Sequence, residues 1–186
     1  MIPEYAIAGA IAALLALVAL LSWLLWRRRG GPELKQALEA VAIERLQNVL
    51  LPDGMGGHIQ VEHLLLTSQG LVVIDAKSFS GTIFASERME EWTVIGKQGR
   101  FTFPNPLGTL YDRVAALRQL VREVPVAGHV LFAGSADFSK GRPRDVLSAN
   151  ELVERYRRPE KEDLERLLVA FAPHWDRVKA AIQPVP

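Results

Sequence analysis

Three charged side chains stand out for their types and spacing: Glu62, Asp75 and Lys77, with Gln60 two residues before the first. They lie in two apolar runs, Ile59–Leu66 and Leu71–Ala76, separated by Thr67-Ser68-Gln69-Gly70. That pattern predicts two strands joined by a hairpin turn. Strand side chains alternate faces, so Val73, Asp75 and Lys77 share one. A hairpin centred on Ser68–Gln69 sets Glu62 directly opposite Asp75 and Gln60 directly opposite Lys77, with Cβ atoms ~5 Å apart. Directly opposed like charges destabilise a sheet. A bound divalent cation would remove that cost. Mg²⁺ takes oxygen ligands, commonly one or two carboxylates with several waters kept. A lysine beside it can orient a metal-bound water or stabilise charge developing on a phosphoryl group. This is a layout suited to metal-assisted phosphodiester hydrolysis, with Glu62 and Asp75 as metal ligands. The other reading is a surface salt-bridge triad on an exposed sheet face.

Other elements must hold that hairpin in place. Leu34, Leu38 and Val41 have helical spacing, which predicts a helix from Glu33 to about Ala42. Leu46–Leu51 reads as a strand closed by the breaker run Pro52 to Gly57. Pro52-Asp53 falls in that turn and reads as loop. Further strands are expected at Gly81–Ala85, Trp92–Ile95 and Arg100–Phe103. After Pro104-Asn105-Pro106, the residues Leu107, Leu110, Val114, Leu117, Leu120 and Val121 mark an amphipathic helix. Val126–Ala133 is an apolar strand of the buried kind. Ser148-x-x-Glu151 is a capping box opening a short helix through Tyr156, and Pro159 begins a last helix. This order predicts an α/β (α+β) domain built on a central mixed sheet flanked by helices. Trp92 reads as a core aromatic. His63 points away from Glu62 and reads as structural.

Composition divides the chain. Tyr5–Trp26 is a run of 22 uncharged residues, 20 of them hydrophobic, followed at once by Arg27, Arg28 and Arg29. A helix of that length spans about 33 Å, enough for the hydrocarbon layer. The basic flank then predicts a single-pass membrane protein, N-terminus outside and domain cytoplasmic. A cleaved signal peptide is the weaker reading, because the basic cluster follows the apolar run. The expected organisation is an anchor with its basic flank at 1–29, a core at 30–125 and a C-terminal strand and helices at 126–186. The chain has no cysteine, which excludes a disulfide scaffold or thiolate chemistry. After Arg29 the acidic residues outnumber the basic by one, so any grip on phosphate must be local. Lys140, Arg142 and Arg144, and Arg155, Arg157 and Arg158, are the basic clusters, read first as solvated faces.

Gln60-Val61-Glu62-His63, the hairpin, Val73 to Gly81, Trp92 and Asn105-Pro106 together resemble the nuclease-related domain family, NERD. The resemblance runs from about Glu33 to Leu120. It implies a restriction-endonuclease-like core related to the PD-(D/E)XK nucleases, with the membrane helix before it. It implies a metal-dependent endonuclease acting on DNA or RNA, with Mg²⁺, or Mn²⁺ in its place, held by Glu62 and Asp75. Lys77 would be the catalytic lysine, Gln60 the glutamine before the first acidic position, and Glu33, with Glu39 as its rival, the acidic residue of the first helix. The chain departs from the family pattern in three places. Glu62 and Asp75 swap the usual Asp and the frequent Glu, Thr109 replaces the glutamine three residues after Asn-Pro, and Glu33 follows Gly31-Pro32 in place of a plain glycine. Those departures leave open a second reading, an inactive domain of the same fold serving as a binding or scaffold module. Oligomeric state is not read from the sequence.

Overall fold

The computed structural model describes residues 34–97 and 99–185. In chain order come α1 (Leu34–Val41), β1 (Glu44–Pro52), β2 (His58–Thr67), β3 (Gly70–Lys77), β4 (Gly81–Phe84), β5 (Glu91–Gly96) and β6 (Gly99–Pro104). Then follow α2 (Leu107–Leu120), β7 (Val126–Phe132), β8 (Ala136–Asp137), β9 (Val146–Leu147), α3 (Ala149–Arg155), α4 (Lys161–Ala181) and β10 (Gln183–Pro184). Every strand expected from apolar patterning is present, within two residues at either end. The two-residue strands β8, β9 and β10 have no periodicity to announce them.

The expected membrane crossing at Tyr5–Trp26, its basic flank and Glu33 all lie outside the described residues. Among the described residues no helix is long and apolar enough to cross a membrane. The longest, α4, carries charged side chains along its length, including Asp163, Glu165, Arg166, Asp176, Arg177 and Lys179. The reading as a single-pass membrane protein with one N-terminal transmembrane helix is corrected on this finding, and the bilayer and the location inferred from it are set aside.

The rest of the fold is mixed α+β, with two sheets where one was expected. The first has the order β10-β1-β2-β3-β7-β9, antiparallel up to β3 and parallel across β3, β7 and β9. The second, β6-β5-β4-β8, takes the strands that follow the hairpin. Gly81 turns the chain out of the first sheet: its φ is 128°, and a Cβ there would lie 2.4 Å from the Ile95 carbonyl oxygen. Only glycine adopts that backbone without strain.

Helices cover both faces of the first sheet. Leu71 and Val73 of β3 pack with Leu107, Leu110, Val114 and Leu117 of α2. Val72 and Ile74, on the alternate face, pack with Ala37, Leu38 and Val41 of α1 and Leu152 of α3. Each fully buried side chain of this size contributes about 1.5–3 kcal/mol. The approach of α2 depends on Gly128 of β7, where a Cβ would fall 2.5 Å from Val114 Cγ2. Phe79, Phe103, Trp92 and Phe132 join the two sheets through aromatic contacts, with Trp92 and Phe132 stacked at 6.4 Å. Trp92 is fully buried and donates its indole N–H to the Ser86 carbonyl at 3.0 Å, as a core residue would.

His129 of β7 is the most deeply buried histidine among the described residues, with its Nε2 2.7 Å from the Tyr156 hydroxyl and its Nδ1 without a hydrogen-bond partner. Burial, aided by the Arg155 charge, pushes its pKa down to about 4. The unfolded chain binds a proton near pH 6.5, so folding stability is full above that pH and falls as pH drops toward about 4. Urea midpoints at pH 7 and pH 4.5 should therefore differ in wild type and differ less in His129→Gln. Equal pH slopes in the two proteins would exclude this role.

Candidate functional site

The site is built where the ladder between β2 and β3 ends. Their pairing follows the expected register from Thr67–Gly70 to His63–Ile74, then stops one pair short of Glu62 and Asp75. On the other side, β1 pairs Gln47 with His63 and Val49 with Val61, passing over Glu62. Its partner position is Asn48, whose φ of 49° is left-handed, a region that asparagine tolerates better than most residues. Both strands exchange faces at this point. Leu64 and Leu66 of β2 and then Val61 all face the α2 side of the core, as do Leu46 and then Val49 and Leu51 of β1. Glu62 is thereby freed from pairing, and its carboxylate turns to β3, where Oε2 accepts the Ala76 amide at 3.1 Å. A side chain makes the hydrogen bond that the departing strand no longer offers.

Asp75 stands on the α2 side and is only 6% exposed. Its Oδ1 accepts from Lys77 Nζ at 2.7 Å, two residues along the same strand face. Its Oδ2 accepts from Arg113 Nη1 at 3.3 Å, and Arg113 Nε donates to the Gln60 carbonyl at 2.7 Å. The structure thus gathers Glu62, Asp75 and Lys77 at one gap and adds Arg113, which the sequence reading missed. The available signal was a charge on α2 directly beside Val114 and three residues after Leu110, at the edge of the apolar stripe.

Gln60 contributes only its backbone. The expected cross-strand pair with Lys77 does not form, because the ladder has ended three residues earlier and the Gln60 side chain is exposed. Glu33 lies outside the described residues. Glu39, its rival, is exposed on α1, which covers the opposite face of the sheet from Asp75, and pairs with Lys35 at 3.9 Å. His63 is buried with Nδ1 3.2 Å from Gln47 Nε2, but its Nε2 lies 3.7 Å from Glu62 Oε1. Burial is the main cause holding its pKa below the usual histidine value. Thr109 turns its hydroxyl back onto the Pro106 carbonyl, and Asn105 accepts the Leu107 amide at 3.0 Å, tying down the start of α2. Asp53 accepts from the Met55 and Gly57 amides at 2.8 and 2.9 Å, a turn-forming role. Of the basic clusters, Arg142 grips Glu151 through two 2.6 Å bonds and Arg158 holds the Glu39 carbonyl at 2.8 Å.

The model of the nuclease-related domain family matches residues 28–133, which include every residue of this cluster. The chain belongs to the nuclease-related domain family. A relative in Bacillus anthracis, an uncharacterized protein, is 24% identical over 136 residues, covering 68% of this chain. The alignment spans 64% of that relative's own length. No solved structure matches the chain.

Within this nuclease-related domain, the donor set at the gap is carboxylate oxygen, which suits a hard divalent cation. Among the described residues no third histidine, aspartate or glutamate completes such a set. Mg²⁺ sites commonly keep several waters beside one or two carboxylates. Without a metal, Asp75 is the anion on which two cations close. Asp75→Asn should therefore cost about 2–3 kcal/mol, somewhat under the ~3–5 kcal/mol of a fully buried pair because Lys77 and Arg113 reach solvent. Glu62→Gln keeps an acceptor for the Ala76 amide and should cost under about 1 kcal/mol. Denaturant titrations in EDTA would reverse this assignment if Glu62→Gln proved the more damaging change.

Proposed function

We propose that this domain hydrolyses phosphodiester bonds of nucleic acid, DNA or RNA, with Mg²⁺ held by Glu62 and Asp75, in the manner of PD-(D/E)XK nucleases. The observation carrying this reading is the convergence of Glu62, Asp75 and Lys77 where β2 parts from β3. When bound, the metal would supply Lewis-acid activation of a phosphoryl oxygen and of water. The chain's own groups do the rest. Asp75 holds Lys77 Nζ at 2.7 Å, which fixes a cation, 27% exposed along its side chain, at the mouth of the gap. A cation so placed stabilises negative charge that grows on phosphate in the transition state.

A groove of about 870 Å³ begins at Ser78, the residue after Lys77, and is lined by Phe79, Ser80, Lys97 and Phe101 among others. Phe101 is 43% exposed and packs edge-on against Phe79 at 5.2 Å. An exposed ring beside a lysine is suited to stacking a base while its phosphate is held. Arg142 and Arg158, by contrast, are committed to internal bonds.

One observation favours the second reading, a binding or scaffold module of the same fold without catalysis. Both oxygens of Asp75 are already taken by Lys77 and Arg113, so the carboxylate is neutralised without a metal. Incubation of the full chain with single- and double-stranded DNA and with RNA separates the two. Hydrolysis is expected with Mg²⁺ or Mn²⁺ and not with EDTA, and Lys77→Ala should lower it at least 100-fold, as loss of one transition-state donor commonly does. No cleavage under any of these conditions, with retained nucleic-acid binding, would establish the module instead.

A further inference from the structure

We infer that Arg113 is an exchangeable counter-ion: it pairs with Asp75 and yields it to a divalent cation, turning its guanidinium to a phosphate oxygen. This deepens the proposed function and rests on its metal reading. Three observations carry it. Asp75 is almost wholly buried, so an unpaired charge there would be costly and a cationic partner is needed. Of its two cationic partners, Lys77 sits close at 2.7 Å, whereas Arg113 Nη1 is at 3.3 Å, a longer and weaker contact. Arg113 is also tethered by Nε to the Gln60 carbonyl at the free end of β2, and its side chain is 21% exposed, at the boundary between core and solvent.

A metal ion on Asp75 would sit within a few ångströms of the guanidinium, and like charges at that separation repel. Arg113 therefore opposes metal binding as long as it stays on Asp75. Arginine presents a planar fork that matches phosphate in two-point fashion, so a bound phosphate offers it a replacement partner. Metal and phosphate should consequently bind with positive coupling, each favouring the arrangement the other needs. No covalent step is involved. The two ligands share the cost of breaking the Arg113–Asp75 ion pair. Such an arrangement would keep the two carboxylates poorly loaded with metal until a substrate phosphate arrives.

Mn²⁺ and inorganic phosphate serve as probes of the full chain by isothermal titration and thermal unfolding, using wild type and Arg113→Gln. The variant should melt lower than wild type in EDTA yet bind Mn²⁺ at least tenfold more tightly. Phosphate should tighten Mn²⁺ binding to wild type severalfold and leave the variant unchanged. A merely structural arginine would lower the melting temperature without any gain in Mn²⁺ affinity, which would overturn the inference. Should Arg113→Gln not fold, the NMR signal of the Arg113 Nη1 group in wild type decides. That group lies 3.3 Å from Asp75 Oδ2, so its signal should shift when saturating Mg²⁺ and phosphate replace EDTA, whereas an unchanged signal would overturn the inference. Equal Mn²⁺ affinity in both proteins removes the counter-ion role and leaves the metal site standing. Absence of Mn²⁺ binding in both removes the two together.

Discussion

A carboxylate buried against an apolar helix is the constraint around which this domain is arranged. Asp75 follows Val73 on the face of β3 that packs beneath α2, and only 6% of it reaches solvent. In such a place a charge survives when it is paired and hydrogen-bonded. Lys77 provides one cation from the same strand and Arg113 the other from the helix. Because Arg113 also holds the Gln60 carbonyl, charge balance at one side chain joins α2, β3 and the end of β2. The close packing of α2 over Gly128 brings that arginine within reach.

The gap beside Asp75 has its own cause, one residue away in β1. A strand pair that ran straight through would bury Glu62 in a ladder opposite Asp75, two like charges at close range. The left-handed backbone at Asn48 lets β1 and β2 change faces together, and Glu62 drops out of pairing on both sides. Its carboxylate then serves as an acceptor for the amide of Ala76, the residue after Asp75. The electrostatic penalty expected of the hairpin is thus relieved by backbone geometry and by Arg113.

Much of the fold was legible in the sequence because it is written in short-range patterns. The hairpin turn at Ser68–Gln69, the apolar runs of the strands and the Ser148–Glu151 capping box all appear where they were expected. The capping box is tightened by Arg142, which together with the Ser148 bonds holds the Glu151 carboxyl down to about 2. Glu62, Asp75 and Lys77 were legible as a group since a hairpin register and strand alternation suffice to bring them near one another. Gln60 was misplaced for the same reason: the register was extended past the point where the ladder opens. The division into two sheets turned on Gly81, a backbone conformation that no side-chain periodicity reports. The crossing helix expected near the N-terminus found no counterpart among the described residues.

The amino-acid sequence by itself determined the local elements, the register of the hairpin and the family to which the chain belongs. Each of those depends on residues close together in the chain or on a motif carried along it. Tertiary structure decided who neutralises Asp75, where β2 leaves β3, and that Arg113, 38 positions away, stands at the site. Those outcomes depend on how closely a helix can lie on a sheet and on the free energy of burying a charge. Both are properties of the packed whole, which no single stretch of sequence contains.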